Sequence, residues 1–311
     1  MRVSVVTPIR MGGPYNWGRT LAEMLCRRGI CGRHVHDARD VLVSPLFMDS
    51  EILHAAVPIT FRLWRRPVVL TIHGEYPIER NVWRHFYPLS IKMADAVTTP
   101  SLFLKERLGL DDAVVIPNAI FPERFEAVRH GEKDYVGILT VTKFAFRDKA
   151  ESLIRLAQIL KSVRKCTDLP IGYTVIGGGK FLEDVKEKVS GNGLDVRFTG
   201  FVDSPKEYFH GQDVFAYYST HDNFPLAILE AMASGLPVVT NRVGAVCEMI
   251  ESGHDGFIAR DDNEFQEYLL RLISDPALRA RIGSNAREKA SVRFSWHRVI
   301  NNYIKLYESL C

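Results

Sequence analysis

The sequence predicts an α/β protein of two doubly wound domains, each a parallel sheet with helices on both faces. Three observations carry that reading. Short apolar runs alternate with amphipathic helical stretches along the chain. Several of those runs end in glycine-bearing loops, as strand-to-helix turns at the carboxyl edge of such sheets do. The 311 residues are interrupted between Phe121 and Asp134 by a charged stretch without apolar periodicity, which reads as an interdomain linker. The length suits two domains of ordinary size. The expected boundaries are 1–121, 135–295, and a terminal helix over 296–311.

In the first half, a strand at Val3–Thr7 leads into Arg10-Met-Gly-Gly-Pro-Tyr15 and a helix from about Trp17 to Arg28. Gly12 and Gly13 suit either a plain turn or the close approach of backbone to a ligand. Asp40–Ser44 and Pro67–Gly74 read as strands, the second ending in His73. A lone histidine there is either structural or catalytic, and His54 stays unassigned. Ala96–Ser101 and Val114–Asn118 are further strands around a helix at Leu102–Leu108. Phe61-Arg-Leu-Trp-Arg-Arg66 and Trp83-Arg-His-Phe-Tyr87 combine basic and aromatic residues. They are solvated helix faces with aromatics in the core, or a surface that leans on an anionic membrane.

In the second half, Tyr135–Thr142 is a buried strand, followed by Lys143, Arg147 and Lys149 in a loop before a helix at Glu151–Val163. Ile171–Gly179 opens onto glycines, Gly178 among them, but it is no dinucleotide fingerprint. Leu182 stands where the third glycine would be, and no acid ends the next strand, Val196–Gly200, before Phe201. Asp213–Tyr218 leads into a loop and a helix that Asp222 or Asn223 caps, with Phe224 and Pro225 entering it and Gly235 ending it. Leu226, Leu229, Met232 and Ala233 form its apolar stripe. Glu230 lies on another face between Ala227 and Ser234, leaving room for a ligand along the helix. The free N–H groups at the helix start favour an anion such as a diphosphate. Val239–Gly244 ends another strand, Glu248 starts a helix, and the chain is helical from Asp262 onward.

Apolar content of 46% and charged content of 25% are those of a soluble globular protein. A net charge of +3 gives no argument for nucleic acid. Five scattered cysteines without C-x-x-C spacing suit reduced cytosolic thiols, not a disulfide framework or zinc site. Met1 runs straight into a strand, so no signal peptide is expected, and no run is long enough to span a membrane. A cytoplasmic protein is expected. No Asp-x-Asp sits at a strand end, so neither metal nor cofactor is expected.

The run from Asp222 through Phe224-Pro225 to Glu230, continuing Ala-Met-Ala-Ser-Gly-Leu-Pro-Val-Val239, closely resembles the E-x7-E signature of glycosyltransferase family 4. Asp222 replaces the usual first glutamate. Members are retaining enzymes of the GT-B fold, two Rossmann-like parallel-sheet domains facing across a cleft. The resemblance implies transfer of a hexose from a UDP- or GDP-sugar to a saccharide or lipid-linked acceptor, peripheral to the inner face of the membrane in the second case. By that resemblance His73 contacts the transferred sugar, Asp222 sits beside it, and Lys143 and Lys149 grip the diphosphate. Gly12 and Gly13 approach the same diphosphate, while Gly178 and Phe201 line the nucleotide pocket. Asn223, Phe224, Pro225 and Leu226 supply the loop and helix start, and Glu230 binds the ribose. The terminal helix would cross back to the first domain. The alternatives are a nucleotide-sugar epimerase of the same fold and a non-catalytic nucleotide-sugar binding protein.

Overall fold

A computed structural model of the chain describes residues 1–7, 12–36, 50–58, 66–77, 82–128, 134–190 and 194–311. The strand expected at 40–44 and most of the cluster at 61–66 lie outside the described residues. The chain divides into two units, Met1–Asn118 with Trp296–Cys311, and Ala119–Ser295.

In the first unit, β1 (Arg2–Val6), β2 (Cys31–Val35), β3 (Ile52–Ala55), β4 (Val68–Thr71), β5 (Ala96–Thr99) and β6 (Val114–Val115) form one sheet. Its order is β2-β1-β3-β4-β5-β6, and every pairing is parallel. The order reverses beside β1, and ligands bind such sheets at the carboxyl ends next to that reversal. β3 and β4 are buried along their whole length, as central parallel strands are. β2, at the edge, alternates exposed and half-buried residues and has no apolar run to betray it. Helix α1 spans Gly13–Arg27, starting four residues earlier than expected because Pro14 is accommodated in its first turn. α2 (Trp83–Met93) follows β4, and α3 (Leu102–Arg107) is capped by Ser101 Oγ, which accepts from the Leu104 N–H.

The second unit carries β7 (Val136–Val141), β8 (Ile171–Ile176), β9 (Val196–Gly200), β10 (Val214–Tyr217), β11 (Val238–Asn241) and β12 (Phe257–Ala259). The order β12-β11-β10-β7-β8-β9 is again parallel, with the reversal between β7 and β10. Helix α4 spans Arg147–Lys165, not Glu151–Val163, so Lys149 stands in a helical first turn and not in a loop. Leu153, Leu156, Leu160 and Val163 recur along it at three- and four-residue spacing and are buried against the sheet. Of the aperiodic stretch expected to be a linker, residues 121–128 are described, and backbone bonds hold their two ends. Ile120 N–H donates to the Phe294 carbonyl at 2.9 Å and Val128 N–H to that of Ser234 at 2.8 Å, holding them on this unit. Such backbone bonds leave no side-chain pattern.

The remaining helices are α5 (Leu182–Val189), α6 (Lys206–Phe209), α7 (Leu226–Ala233), α8 (Val246–Met249), α9 (Asp262–Ser274), α10 (Pro276–Arg293) and α11 (Trp296–Glu308). Glu248 is the third residue of α8 and not its start. α11 belongs to the first unit and buries Trp296, Val299, Ile300, Tyr303 and Tyr307, one stripe of three- and four-residue steps.

Candidate active site

At the reversal of the second sheet, the strand ends bring polar side chains together. Tyr217 closes β10 and Ser219 follows two residues on, the spacing that keeps two side chains on one face of an extended chain. Lys149, from α4, reaches both. Its Nζ donates to Tyr217 Oη at 2.8 Å, Ser219 Oγ at 3.0 Å and Asp222 Oδ2 at 2.7 Å. The Tyr217 hydroxyl in turn donates to the same Asp222 oxygen at 2.6 Å. Burial and the Asp222 carboxylate hold that phenol well above its usual pKa, so it stays a neutral donor. Asn241, ending β11, fixes the Ser219 backbone from both sides: its Oδ1 accepts from Ser219 N–H at 2.9 Å and its Nδ2 donates to Ser219 O at 2.8 Å.

This network corrects the expected helix cap. α7 begins after Pro225 with no side-chain cap, and the Asp222 carboxylate is committed to Lys149 and Tyr217. The expected stripe is corrected as well. Ile228, Leu229, Ala231, Met232 and Ala233 are all buried, while Leu226 is 40% exposed. Leu226, Ala227 and Glu230 make the one face of α7 that is not fully buried, Leu226 exposed and the other two half-buried. Ser234 is buried, its Oγ donating to the Glu230 carbonyl at 2.9 Å, so it braces the helix end and lines no open space. Burial pushes the Glu230 carboxyl up to about 7, against the opposing pull of the Lys143 ammonium. Lys143 itself is exposed.

Glycines let the loops of this edge touch. A Cβ on Gly244 would sit 2.0 Å from the Asp222 carbonyl oxygen, and the φ of 51° there disfavours any side chain. Gly178 meets Phe201 in the same way, a Cβ lying 2.9 Å from that of Phe201, whose ring is 75% exposed. Phe224 and Pro225 are buried, and the Asn223 carbonyl accepts from Ala245 N–H at 3.0 Å.

In the first unit, Gly12 and Gly13 are exposed at the start of α1, Gly12 with φ of 98°. His73 follows β4, its ring edge-on to Trp17 at 4.8 Å between centroids, with Nε2 buried and lacking a partner among the described residues. Burial pulls its pKa down to about 4, so the imidazole is neutral at neutral pH. His54, unassigned from sequence, is wholly buried and bonded at both nitrogens: Nδ1 to Tyr307 Oη at 2.5 Å and Nε2 to Thr71 Oγ1 at 2.6 Å. It is a packing residue that ties α11 to β3 and β4.

The second unit thus gathers Lys149 with Asp222, and Lys143 within electrostatic reach of Glu230. Sequence reasoning missed Tyr217, Ser219 and Asn241. Their signal was available, since all three are polar residues at the carboxyl ends of neighbouring strands. Among the described residues, Glu251, His254 and Asp255 form one group with metal-ligand spacing. That group precedes β12, at the amino edge of the sheet, and Asp255 is held by Lys289 at 2.7 Å and by the Glu251 N–H at 2.7 Å.

The family model for glycosyl transferases group 1 matches residues 122–289, more than half of the chain. An uncharacterised glycosyltransferase of Methanocaldococcus jannaschii is 27% identical over 255 residues, covering 78% of this chain and 69% of the relative. The MMP alpha-(1->4)-mannosyltransferase of Mycolicibacterium hassiacum is 26% identical over 278 residues, 85% of this chain; the chain spans 63% of that relative's length. Among solved structures, sucrose-phosphate synthase of Thermosynechococcus elongatus superposes with a TM-score of 0.80 at 16% identity, over 99% of this chain and 98% of its own. Anabaena HepE, determined in complex with UDP-glucose, gives 0.79 at 18% identity over 100% of both chains. The chain belongs to the family of glycosyl transferases group 1 and is a transferase of the GT-B fold.

Proposed function

We propose that the chain is a retaining hexosyltransferase that takes its sugar from a UDP- or GDP-sugar held by the second unit. The observation that carries this reading is the one face of α7 that is not fully buried, where Glu230 stands beside Ala227 at the reversal of the sheet. A ribose lying on Ala227 would give two hydroxyl donors to the Glu230 carboxylate. The start of the same helix, with free N–H groups and no side-chain cap, favours the diphosphate. Phe201 and the loop at Gly178 would line the base.

Breaking the bond from the anomeric carbon to the phosphate oxygen leaves a nucleoside diphosphate with one more negative charge. Lys143, exposed and free to turn, and Lys149 would stabilise that charge as it develops, doing the work otherwise given to a metal ion. Lys149 already spends its three N–H donors on Tyr217, Ser219 and Asp222, so it would exchange one of them for phosphate. Asp222 and Asn223 would face the transferred sugar; the Asn223 Oδ1 is buried and without a partner among the described residues, an orphan that a sugar hydroxyl satisfies. His73, kept neutral and with Nε2 unpaired, would act on the same transfer from the first unit, with Gly12 and Gly13 close to the diphosphate. Retention rests on the resemblance to family 4. The acceptor would be a saccharide or a lipid-linked saccharide.

A thermal-shift panel of nucleotide sugars tests the reading, because a ligand that binds only the folded chain raises the melting temperature by mass action. One nucleotide series should stabilise the wild type and lose most of that effect in Glu230→Gln. No shift with any nucleotide sugar would remove the reading.

A further inference from the structure

We infer that the outer face of α2 is a docking surface for an anionic lipid bilayer. The inference deepens the reading above by naming the surface that would bring the chain to a lipid-linked acceptor, and it stands on other residues.

α2 carries two apolar faces. On the inner one, Tyr87 and Ser90 are buried, while Trp83 and Ile91 pack partly buried against the cluster of Leu70, Ile72 and Leu104. This half matches the expectation of aromatics in the core. Phe86 does not. Val82, Phe86 and Leu89 recur at four- and three-residue steps, so they share one line along the helix, turned away from the inner face. They are 57%, 42% and 52% exposed. By the same helical geometry His85 and Lys92 border that line, with Arg84 behind them, all three exposed. α2 holds no Asp or Glu, and neither Arg84 nor Lys92 enters an ion pair among the described residues.

The size and charge of the stripe decide the occupant. A stable protein partner covers about 800 Å² on each side, far more than three side chains offer. A bilayer needs no matching shape. It takes up a row of apolar side chains bounded by cations, which is the pattern of a helix lying in the plane of an anionic interface. No helix among the described residues is long and apolar enough to cross the membrane, so contact would be from the surface. α2 follows β4 in a parallel crossover, so Val82 and Phe86 begin at the carboxyl edge that also presents His73. An acceptor anchored in the bilayer would reach that edge from the side on which the stripe lies.

Flotation of the full chain with vesicles tests the inference. The chain should float with vesicles of equal parts phosphatidylcholine and phosphatidylglycerol, weakly with phosphatidylcholine alone, and less in high salt. The double change Phe86→Ser with Leu89→Ser should lower the bound fraction about tenfold or more, since it removes most of the insertable apolar surface. Lys92→Glu should lower it for anionic vesicles only. Both sites are exposed, so circular dichroism and the turnover of donor with a water-soluble acceptor should match the wild type. Absence of flotation with anionic vesicles, or equal flotation of the double variant, overturns the docking surface. So does a wild type that elutes as a dimer and becomes monomeric in the double variant, which would assign the stripe to a second copy. None of these results bears on nucleotide-sugar stabilisation, so the two readings fail separately.

Discussion

Lys149 and Asp222 form a pair whose side chains are only 15% and 23% exposed, and removing either partner leaves the other half-buried and uncompensated. Lys149→Ala should therefore do two things. Turnover should fall about 100-fold or more, on the scale of losing a preorganised donor to a developing anion, and the melting temperature should fall with it. Lys143 is exposed, so Lys143→Ala should weaken donor binding with little effect on melting. Greater loss of turnover from Lys143→Ala than from Lys149→Ala would mean that the exposed cation holds the leaving phosphate. Glu230 adds a pH signature. Its carboxyl is pushed up to about 7, so acidification through that value protonates it and removes an acceptor from the proposed ribose site. Donor affinity should fall as pH drops below about 7 in the wild type and stay flat in Glu230→Gln, as read by titration calorimetry.

α7 is a helix whose stability comes from burial on nearly all sides. Ile228→Ala or Met232→Ala should cost about 2–5 kcal/mol in urea unfolding, whereas Leu226→Ala should cost under about 1 kcal/mol. Equal costs would return Leu226 to the core. Strands such as β4 and β7 were legible because buried parallel strands are largely apolar, and α7 because Pro225 and Gly235 punctuate it. The cap was not legible. Asp222 has the chemistry of a helix cap, but Lys149 stands 73 positions away in sequence and takes the carboxylate instead. No local pattern reveals such a long-range partner. β2 was missed because an edge strand needs no continuous apolar run, and His54 because only the fold places Tyr307 and Thr71 around it.

The two units should answer pH in opposite senses. His34, His54 and His73 all belong to the first unit and are pulled down to about 4, 3 and 4 by burial. As pH falls below 6.5, the unfolded chain takes up protons that the folded unit refuses, so folding stability is lost progressively toward those lower values. For fully buried His54 the full loss is on the order of 5 kcal/mol. Glu230 works the other way in the second unit, since a raised carboxyl loses stability as pH climbs from its usual value toward 7. Of the four tryptophans, Trp17, Trp83 and Trp296 fall in the first unit and Trp64 lies outside the described residues, so the fluorescence of those three in a Trp64→Phe background reports on that unit. The tryptophan-detected melting temperature should drop from pH 6.5 to 4, and less steeply in His54→Asn. An unchanged melting temperature over that range would mean that these imidazoles are solvated.

Under the proposed function Glu230 of the second unit serves donor binding and His73 of the first serves transfer, and one calorimetric comparison separates the two roles. The nucleoside diphosphate that stabilises the wild type is titrated into wild type, Glu230→Gln and His73→Ala, with transfer measured on the same preparations. Glu230→Gln should bind more weakly by about 1–3 kcal/mol, the scale of a lost hydrogen bond to a charged group. His73→Ala should bind as the wild type does yet transfer sugar far more slowly. Wild-type affinity in Glu230→Gln, or normal transfer by His73→Ala, would contradict this division of the work.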